Sequence, residues 1–438
     1  MKMKIRKIAA LLAAASLSLS LAACAPGQDA ALEGDLLVWD TGILGKDPSD
    51  DPYKDGAFLN QMALEFEEAN PGVSITIVQQ GGDISTNAAQ FQAAAIAGTG
   101  PDIRVQYAGG PTTSFADFFT DLEPLISADT LNSMAGQYVN REGFNSTGRL
   151  LGMTYGAGNL FVVFQNADIL KKAGIDPTVV PATWEDLIAN ARMVQDKTTA
   201  DGFYTGNLEG YPGAWLVSAL VGGELGETAF TDMYSGKIPV DDPAMLKAYE
   251  AYAAWGQVTN KDGASAVAGG TGFYAGKAGY YLVGSWENNE MVKQFGENGP
   301  VTSFFIPSLA GSKFPKIGAG GPEIAISISE TSTKKALAAK FMEFLAIPKN
   351  QDRFVKIYQT QGSNSSSGDA TMISNPRLKE QFKQLSSDGV TFAFDSVMPQ
   401  ATIDLFYRVN SGVFSGAISP KDAVAQLKAS FEQEMADK

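Results

Sequence analysis

The period of the apolar positions changes repeatedly along this chain, and each change marks an element. "DLLVWD" (35–40) is a short apolar run, as in a buried strand. Over 57–69, Phe58, Met62 and Phe66 recur every four positions, which predicts a helix that Asn70-Pro71-Gly72 terminates. Val73, Ile75 and Ile77 then alternate within "VSITIVQQ" (73–80), a strand pattern. "NAAQFQAAAIAG" (87–98) predicts an alanine-rich helix ending at Gly98, and "PDIRVQY" (101–107) a third strand. Strand, helix, strand, helix, strand is the order of a parallel sheet covered by helices, so the class is α/β. Ligands of such sheets sit beyond the carboxyl ends of the strands. Interest therefore falls on Asp40-Thr41, Gln79 to Asp83, and Gln106 to Gly110.

The middle and the end continue in the same manner. "NLFVVFQN" (159–166) predicts an apolar strand, and "ADILKKAGIDP" a helix closed by Gly174. Thr183 with Asp186 three residues on is close to a capping box for the next helix. "KKALAAKFMEFLAIP" (334–348) and "SPKDAVAQLKASFEQEM" (419–435) are amphipathic helices, and "QGSNSSSGD" (361–369) is a polar loop.

The amino terminus follows a different pattern. Lys2, Lys4, Arg6 and Lys7 precede an apolar, small-residue run from Ile8 to Leu21, and Ala22-Ala23 follow it. This is the layout of a secretory signal, and the run is shorter than the ~20 residues of a spanning helix. Leu21-Ala22-Ala23-Cys24 resembles the lipobox of bacterial lipoproteins, which implies cleavage before Cys24 and a thioether-linked diacylglyceryl group on it, often with an acyl chain on its amino group (palmitate). The alternative is an ordinary signal peptide with an incidental cysteine. "APGQDAALEG" completes a flexible tether over 24–34.

Composition narrows the chemistry. Without the four basic residues of the leader, the chain keeps 29 basic and 48 acidic side chains, a formal charge of −19. Nucleic acid needs clustered Lys and Arg, so it is not expected as a partner. There is no histidine and one cysteine. That removes His- or Cys-based nucleophile–base pairs and structural zinc sites, and leaves only oxygen ligands for any metal. No cofactor and no metal site is expected.

Several segments, taken in order, resemble one family: the extracellular solute-binding proteins (family 1) of ABC importers, the group that includes maltose- and other sugar-binding lipoproteins. "AGTGPDIRV" is similar to its G-x-x-PD-[IV] segment. "GRLLGMTYGAGNLFVVFQNADILKKAGIDPTVVPATWEDLIANARMV" resembles its most recognisable stretch. "FYAGKAGYYLVGSWENN" (273–289) resembles its F-x-x-GKAA-M…G-x-W segment, and "KALAAKFMEFLAIPKNQDRF" a later helix. Gln165, Gly279-Tyr280 and "QGSNSSSG" depart from the family pattern. The resemblance implies a two-lobed, periplasmic-binding-protein-like clamp, each lobe a mostly parallel sheet flanked by helices. The chain would cross between lobes near 156–160, 301–306 and 356–361. The lobes would be 35–157 plus 307–357 and 158–306 plus 358–438, behind a signal peptide at 1–23. It further implies a monomer, anchored outside the cell membrane by lipid, that hands a carbohydrate to permease subunits.

A sugar presents rows of hydroxyls and apolar C–H faces. Carboxylates and amides hold the first, and an aromatic plate holds the second. Trp286, at the position of the family's tryptophan, is the candidate plate, with a buried core Trp as the alternative; Glu287 beside it accepts hydroxyls or starts a helix. Trp215, Asn207, Glu209 and Tyr211 lie in or after a Gly/Pro-rich loop and are ligand contacts or turn and core residues. Asp40 with Thr41, Gln80 with Asp83, and Gln106 with Tyr107 end strands. Asp40 is expected to meet ligand or backbone amides, since a buried carboxylate needs partners. Asn159 and Tyr155 lie at the first crossing, as contacts or hinge packing, and Glu323 lies in "GAGGPE" near a later one. Phe406 and Asp404 are weaker candidates; Trp39, Trp184 and Trp255 are assigned to packing. The competing readings are the same fold binding a polyamine, an anion or a metal ion, and a secreted glycoside hydrolase using a carboxylate pair.

Overall fold

The computed structural model describes residues 32–44, 57–81, 84–156, 159–360, 362–363, 366, 373–384 and 389–436. The leader, Cys24, most of the tether, Asp83 and most of the polar loop 361–369 lie outside the described residues.

Eleven strands among the described residues form two sheets. The first has the order β2-β1-β3-β10-β4. Here β1 is Glu33–Asp40, β2 Gly72–Gln79, β3 Ile103–Tyr107, β4 Met153–Thr154 and β10 Ile324–Ile328. The second has the order β11-β9-β5-β7-β6, with β8 also paired to β5. Its members are β5 (Asn159–Asn166), β6 (Asp201–Tyr204), β7 (Ala278–Gly284), β8 (Val301–Phe305), β9 (Gly318–Gly321) and β11 (Val390–Phe392). Each sheet is backed by its own core. The first gathers Val38, Phe58, Met62, Val105, Ile326 and Phe341. The second gathers Val163, Trp184, Phe203, Leu216, Trp255 and Leu282.

The pairing is mixed and not mostly parallel. β1 runs parallel to β2 and β3, but β10 is antiparallel to β3 and β4. In the second sheet β5 is antiparallel to β7, β8 and β9. The strands that break the parallel rule are the ones that enter a sheet from the other lobe: β5 and β10.

The chain leaves the first sheet after β4 and enters the second at β5. It stays there through β9 and returns to the first sheet between Gly321 and Ile324. The passage near 301–306 read from the sequence therefore falls elsewhere in the strand order, at Pro322-Glu323. "GAGG" has almost no side chains to signal a strand, and β9 exists only because β5 and β11 pair with it.

Local signals explain several boundaries. Thr183 accepts from the Asp186 amide at 3.2 Å and the Asp186 carboxylate accepts from the Thr183 amide, a capping box that opens helix Trp184–Lys197. Helix Ala167–Ala173 ends at Gly174 in the left-handed region, φ 82°. Trp184 and Trp255 are fully buried, and Trp39 packs half-buried against a small cluster around Phe91.

Candidate functional site

The loops after the strands meet between the two cores. On the second sheet, β7 ends in Gly284-Ser285-Trp286. A Cβ on Gly284 would lie 1.8 Å from the Trp286 ring, so only glycine lets the indole fold back across the strand end. Trp286 packs edge-on against Trp215 (centroids 5.2 Å, 73°), and Trp215 stacks on Phe161 (5.7 Å, 27°). Tyr211, one helical turn before Trp215 on helix Tyr211–Leu225, is 5.5 Å from it. Trp215 is 9% exposed, whereas Trp286 is 38% exposed. The result is an aromatic wall whose inner members are core and whose outer indole is open to solvent.

Beside the wall lies a polar set from several elements. Tyr107 ends β3, Glu323 lies between β9 and β10, and Asp395 follows β11. The Tyr107 hydroxyl is held well above its usual range, first by burial and then by the nearby Glu323, Tyr211, Asp40 and Asp395. Burial alone lifts Glu323 to about 7. Burial also lifts Asp395 to about 6, although the Tyr407 hydroxyl donates to it at 2.8 Å. Tyr211 is pushed up to about 12 by burial and then by Glu209. Tyr107, Tyr211, Glu323, Asp395 and Tyr407 are all half-buried. Among the described residues the hydroxyls of Tyr107 and Tyr211 make no hydrogen bond. Asn159, at the start of β5, donates to the Glu323 carboxylate, and its carbonyl accepts from Thr360 (3.4 Å) and Ser285 (3.5 Å).

Other residues singled out in the sequence sit differently. Asp40 is fully buried, and its carboxylate accepts from the amides of Ile43 and Leu44 (3.1 and 3.3 Å) and from Gln79 (2.7 Å). It shapes its own turn, because a buried carboxylate takes the donors nearest to it. Both the Thr41 amide and its hydroxyl donate to the Val105 carbonyl at 3.2 Å. The Gln80 amide closes onto the Asp40 carbonyl, and Gln80 is half-buried. Gln106 is turned into the first lobe, where it donates to Ser327. Tyr155 is fully buried against Phe58 and Phe354, with its hydroxyl on the Leu345 carbonyl, so it is a core residue of that lobe and not a cleft wall.

Asn207 is buried and donates to Tyr252 at 2.6 Å, which fixes the loop that carries Tyr211. Glu209 is exposed and accepts from the Ala268 amide. Glu287 accepts from the Tyr274 hydroxyl beside the wall. Phe406 is core, and Asp404 accepts from Ser85 at 2.6 Å. Asp395 and Tyr407 escaped the sequence reading. Asp395 had a signal, an acidic residue directly after the short "VTFAF" run; Tyr407 had none, because it lies within an amphipathic helix.

Among the described residues no group of three or more acidic side chains is arranged to hold a metal ion, and no helix is long and apolar enough to cross a membrane.

The model of a family described as bacterial extracellular solute-binding protein matches residues 61–380. The sn-glycerol-3-phosphate-binding periplasmic protein UgpB of Yersinia pestis is 28% identical over 167 residues, which is 34% of this chain and 35% of the relative. The match thus spans about a third of the length of that curated relative. Among solved structures, a protein from a study of xylan utilization by Caldanaerobius polysaccharolyticus superposes with a TM-score of 0.75 at 19% identity, covering 90% of this chain and 99% of that one. A chitin oligosaccharide binding protein superposes with a TM-score of 0.75 at 17% identity, covering 92% and 98%. At such identities the likeness speaks for the fold alone, a two-lobed α/β clamp.

Proposed function

Because the chain belongs to the bacterial extracellular solute-binding protein family, we propose that it captures a carbohydrate, an oligosaccharide in particular, between its lobes and delivers it to the permease of an ABC importer. One observation carries this reading: the Trp286–Trp215–Phe161 wall stands beside a set of hydroxyls and carboxylates from both lobes. An exposed indole offers the plate that the C–H face of a sugar ring stacks on, and carboxylates and phenols accept and donate to its hydroxyls. The chitin oligosaccharide binding protein among its structural neighbours supports the same class of ligand.

The lobes are built around the two sheets, and ligand favours the closed form by its greater affinity for it. The mature chain is a monomer held at the outer face of the membrane through lipid on Cys24, since two or three acyl chains anchor stably where one is marginal. No reaction is assigned to it, which fits a family of binding proteins.

The test is thermal unfolding of the protein with xylo-, malto- and chitin oligosaccharides, spermidine and metal salts. A ligand at 100 times its dissociation constant stabilises by about 2.7 kcal/mol. A sugar is expected to raise the melting temperature; a shift with spermidine or a metal salt alone sinks the carbohydrate reading. For the anchor, Cys24→Ala is expected to release the protein from membranes with ligand affinity intact, and normal membrane retention would overturn it.

A further inference from the structure

Among the described residues the polar half of the cleft carries carboxylates and no paired cation. Asp395 and Glu323 are both half-buried, and among the described residues neither pairs with a lysine or arginine. The cations that sequence proximity would offer are directed elsewhere. Arg104, three residues before Tyr107, is buried in a separate pocket, its guanidinium 4.1 Å from the centroid of Phe91 and 5.4 Å from that of Phe115. There its pKa falls to about 9 through burial. Arg408, next to Tyr407, is exposed and does not figure among the groups that Asp395 or Tyr407 feel. The donors already present are neutral: Tyr407 on Asp395, and Asn159 on Glu323. Each leaves acceptor capacity on a carboxylate, which has about four lone-pair sites.

Resting on the carbohydrate reading, we infer that Asp395, held by Tyr407, acts with Glu323 to set the charge of the ligand: the cleft takes uncharged or amine-bearing sugars and rejects phosphorylated or acidic ones. This separates the chain from the glycerol-phosphate-binding protein it resembles over a third of its length. A phosphate ester needs Arg, Lys or a fan of backbone amides to hold its oxygens. Above about pH 7, where both groups are ionised, it would meet two carboxylates in a partly desolvated space, where like charges repel far more strongly than in water. A hydroxyl or an ammonium group supplies the donor that these carboxylates lack. Burial without a cation is also what raises both of them, so a cationic ligand group would be taken up with release of protons.

The experiment is calorimetric titration of wild type, Asp395→Asn and Glu323→Gln with malto-, xylo- and chitin oligosaccharides, glucosamine oligomers, glucose 1-phosphate and sn-glycerol 3-phosphate. Wild type is expected to bind a neutral or aminated sugar at least about a hundredfold tighter than either phosphate, and each amide variant to narrow that ratio by about tenfold. Both variants remove a half-buried carboxylate and keep the shape, and circular dichroism checks that they fold; Tyr407→Phe, which only loosens Asp395, is expected to narrow the ratio less. Equal or tighter binding of a phosphate overturns the charge inference, as does an unchanged ratio in both amide variants while a neutral sugar still binds; either leaves the carbohydrate reading standing. If no sugar of any charge binds, the carbohydrate reading fails and the inference fails with it.

Discussion

Glu323 carries a measurable consequence for stability. Its pKa is about 7 folded against 4.5 for an unperturbed glutamate, so between those values the folded state binds more protons than the unfolded one. Below pH 4.5 both states are protonated and nothing is lost; above pH 7 both are ionised and the folded state bears the whole burial penalty. Stability of the ligand-free protein therefore falls as pH rises through that window, and Asp395, raised to about 6, adds a second contribution of the same sign at slightly lower pH. Discounted for partial exposure, we expect Glu323→Gln to stabilise the free protein by about 1 kcal/mol at pH 8 and by almost nothing at pH 4. Denaturant melts at the two pH values check this, and equal effects at both would refute it. Trp286→Ala is the complementary case: the outer indole is 38% exposed, so binding should weaken at least tenfold, by about 1.4 kcal/mol or more, while the free protein keeps its melting temperature. A large loss of stability in the free form would make Trp286 a core residue instead. The sequence pointed to Trp286 because it stands at the position of the tryptophan in the family that the chain resembles. It could not distinguish Tyr155 from a ligand contact, because its hydroxyl meets the carbonyl of Leu345 from a distant part of the chain, and it left Asp40 open between ligand and the backbone amides that the structure gives it.

At the level of elements, the most legible segments were those with a clear period and a chemical stop. β5 occupies 159–166 as read, since an unbroken β-branched and aromatic run admits little else. The capping box at Thr183 was also plain, and Thr183→Ala should lower stability by about 1 kcal/mol, measured by chemical denaturation. What the sequence hid were contacts made by backbone. The loop after β3 is such a case. Gly109 has φ 80°, and a Cβ there would lie 1.8 Å from the Ser396 carbonyl oxygen, so a loop of the first lobe touches a turn of the second main chain to main chain. Gly109→Ala must move one of the two, and we expect a loss of more than about 3 kcal/mol, against about 1 kcal/mol from backbone strain for Gly236→Ala, which has a similar φ but open space around it. Strain at positive φ is common to both positions, so a larger loss at Gly109 reflects its own backbone conformation (ψ −132°) and the contact between the lobes; equal losses would show that the contact adds nothing.

Across the whole molecule, the same seam bears on closure. Ser85, on helix Ile84–Ile96 of the first lobe, donates to Asp404 at 2.6 Å, and Ser114 accepts from the Gln400 amide at 3.1 Å. Asp404 and Gln400 both lie on helix Gln400–Phe414 of the second lobe. These bonds join the two lobes, so where opening parts helix Ile84–Ile96 from helix Gln400–Phe414 they favour the closed arrangement. A hydrogen bond to a charged group that is only partly shielded is worth about 1 kcal/mol, and its loss should reduce the ratio of closed to open forms about fivefold. On the proposal that ligand is held by residues of both lobes, Ser85→Ala should weaken apparent affinity by up to the same factor, although Ser85 is not itself one of the cleft residues. Three readouts separate this from a local defect. X-ray scattering of the ligand-free variant should show a larger radius of gyration than wild type. At saturating ligand the two profiles should coincide. Ser85→Thr, which keeps the hydroxyl, should restore most of the affinity. If Ser85→Ala changes neither affinity nor scattering, the contact between Ser85 and Asp404 does not bias closure, and the coupling of the lobes is carried by their other contacts, the Ser114–Gln400 bond and the Gly109–Ser396 approach among them.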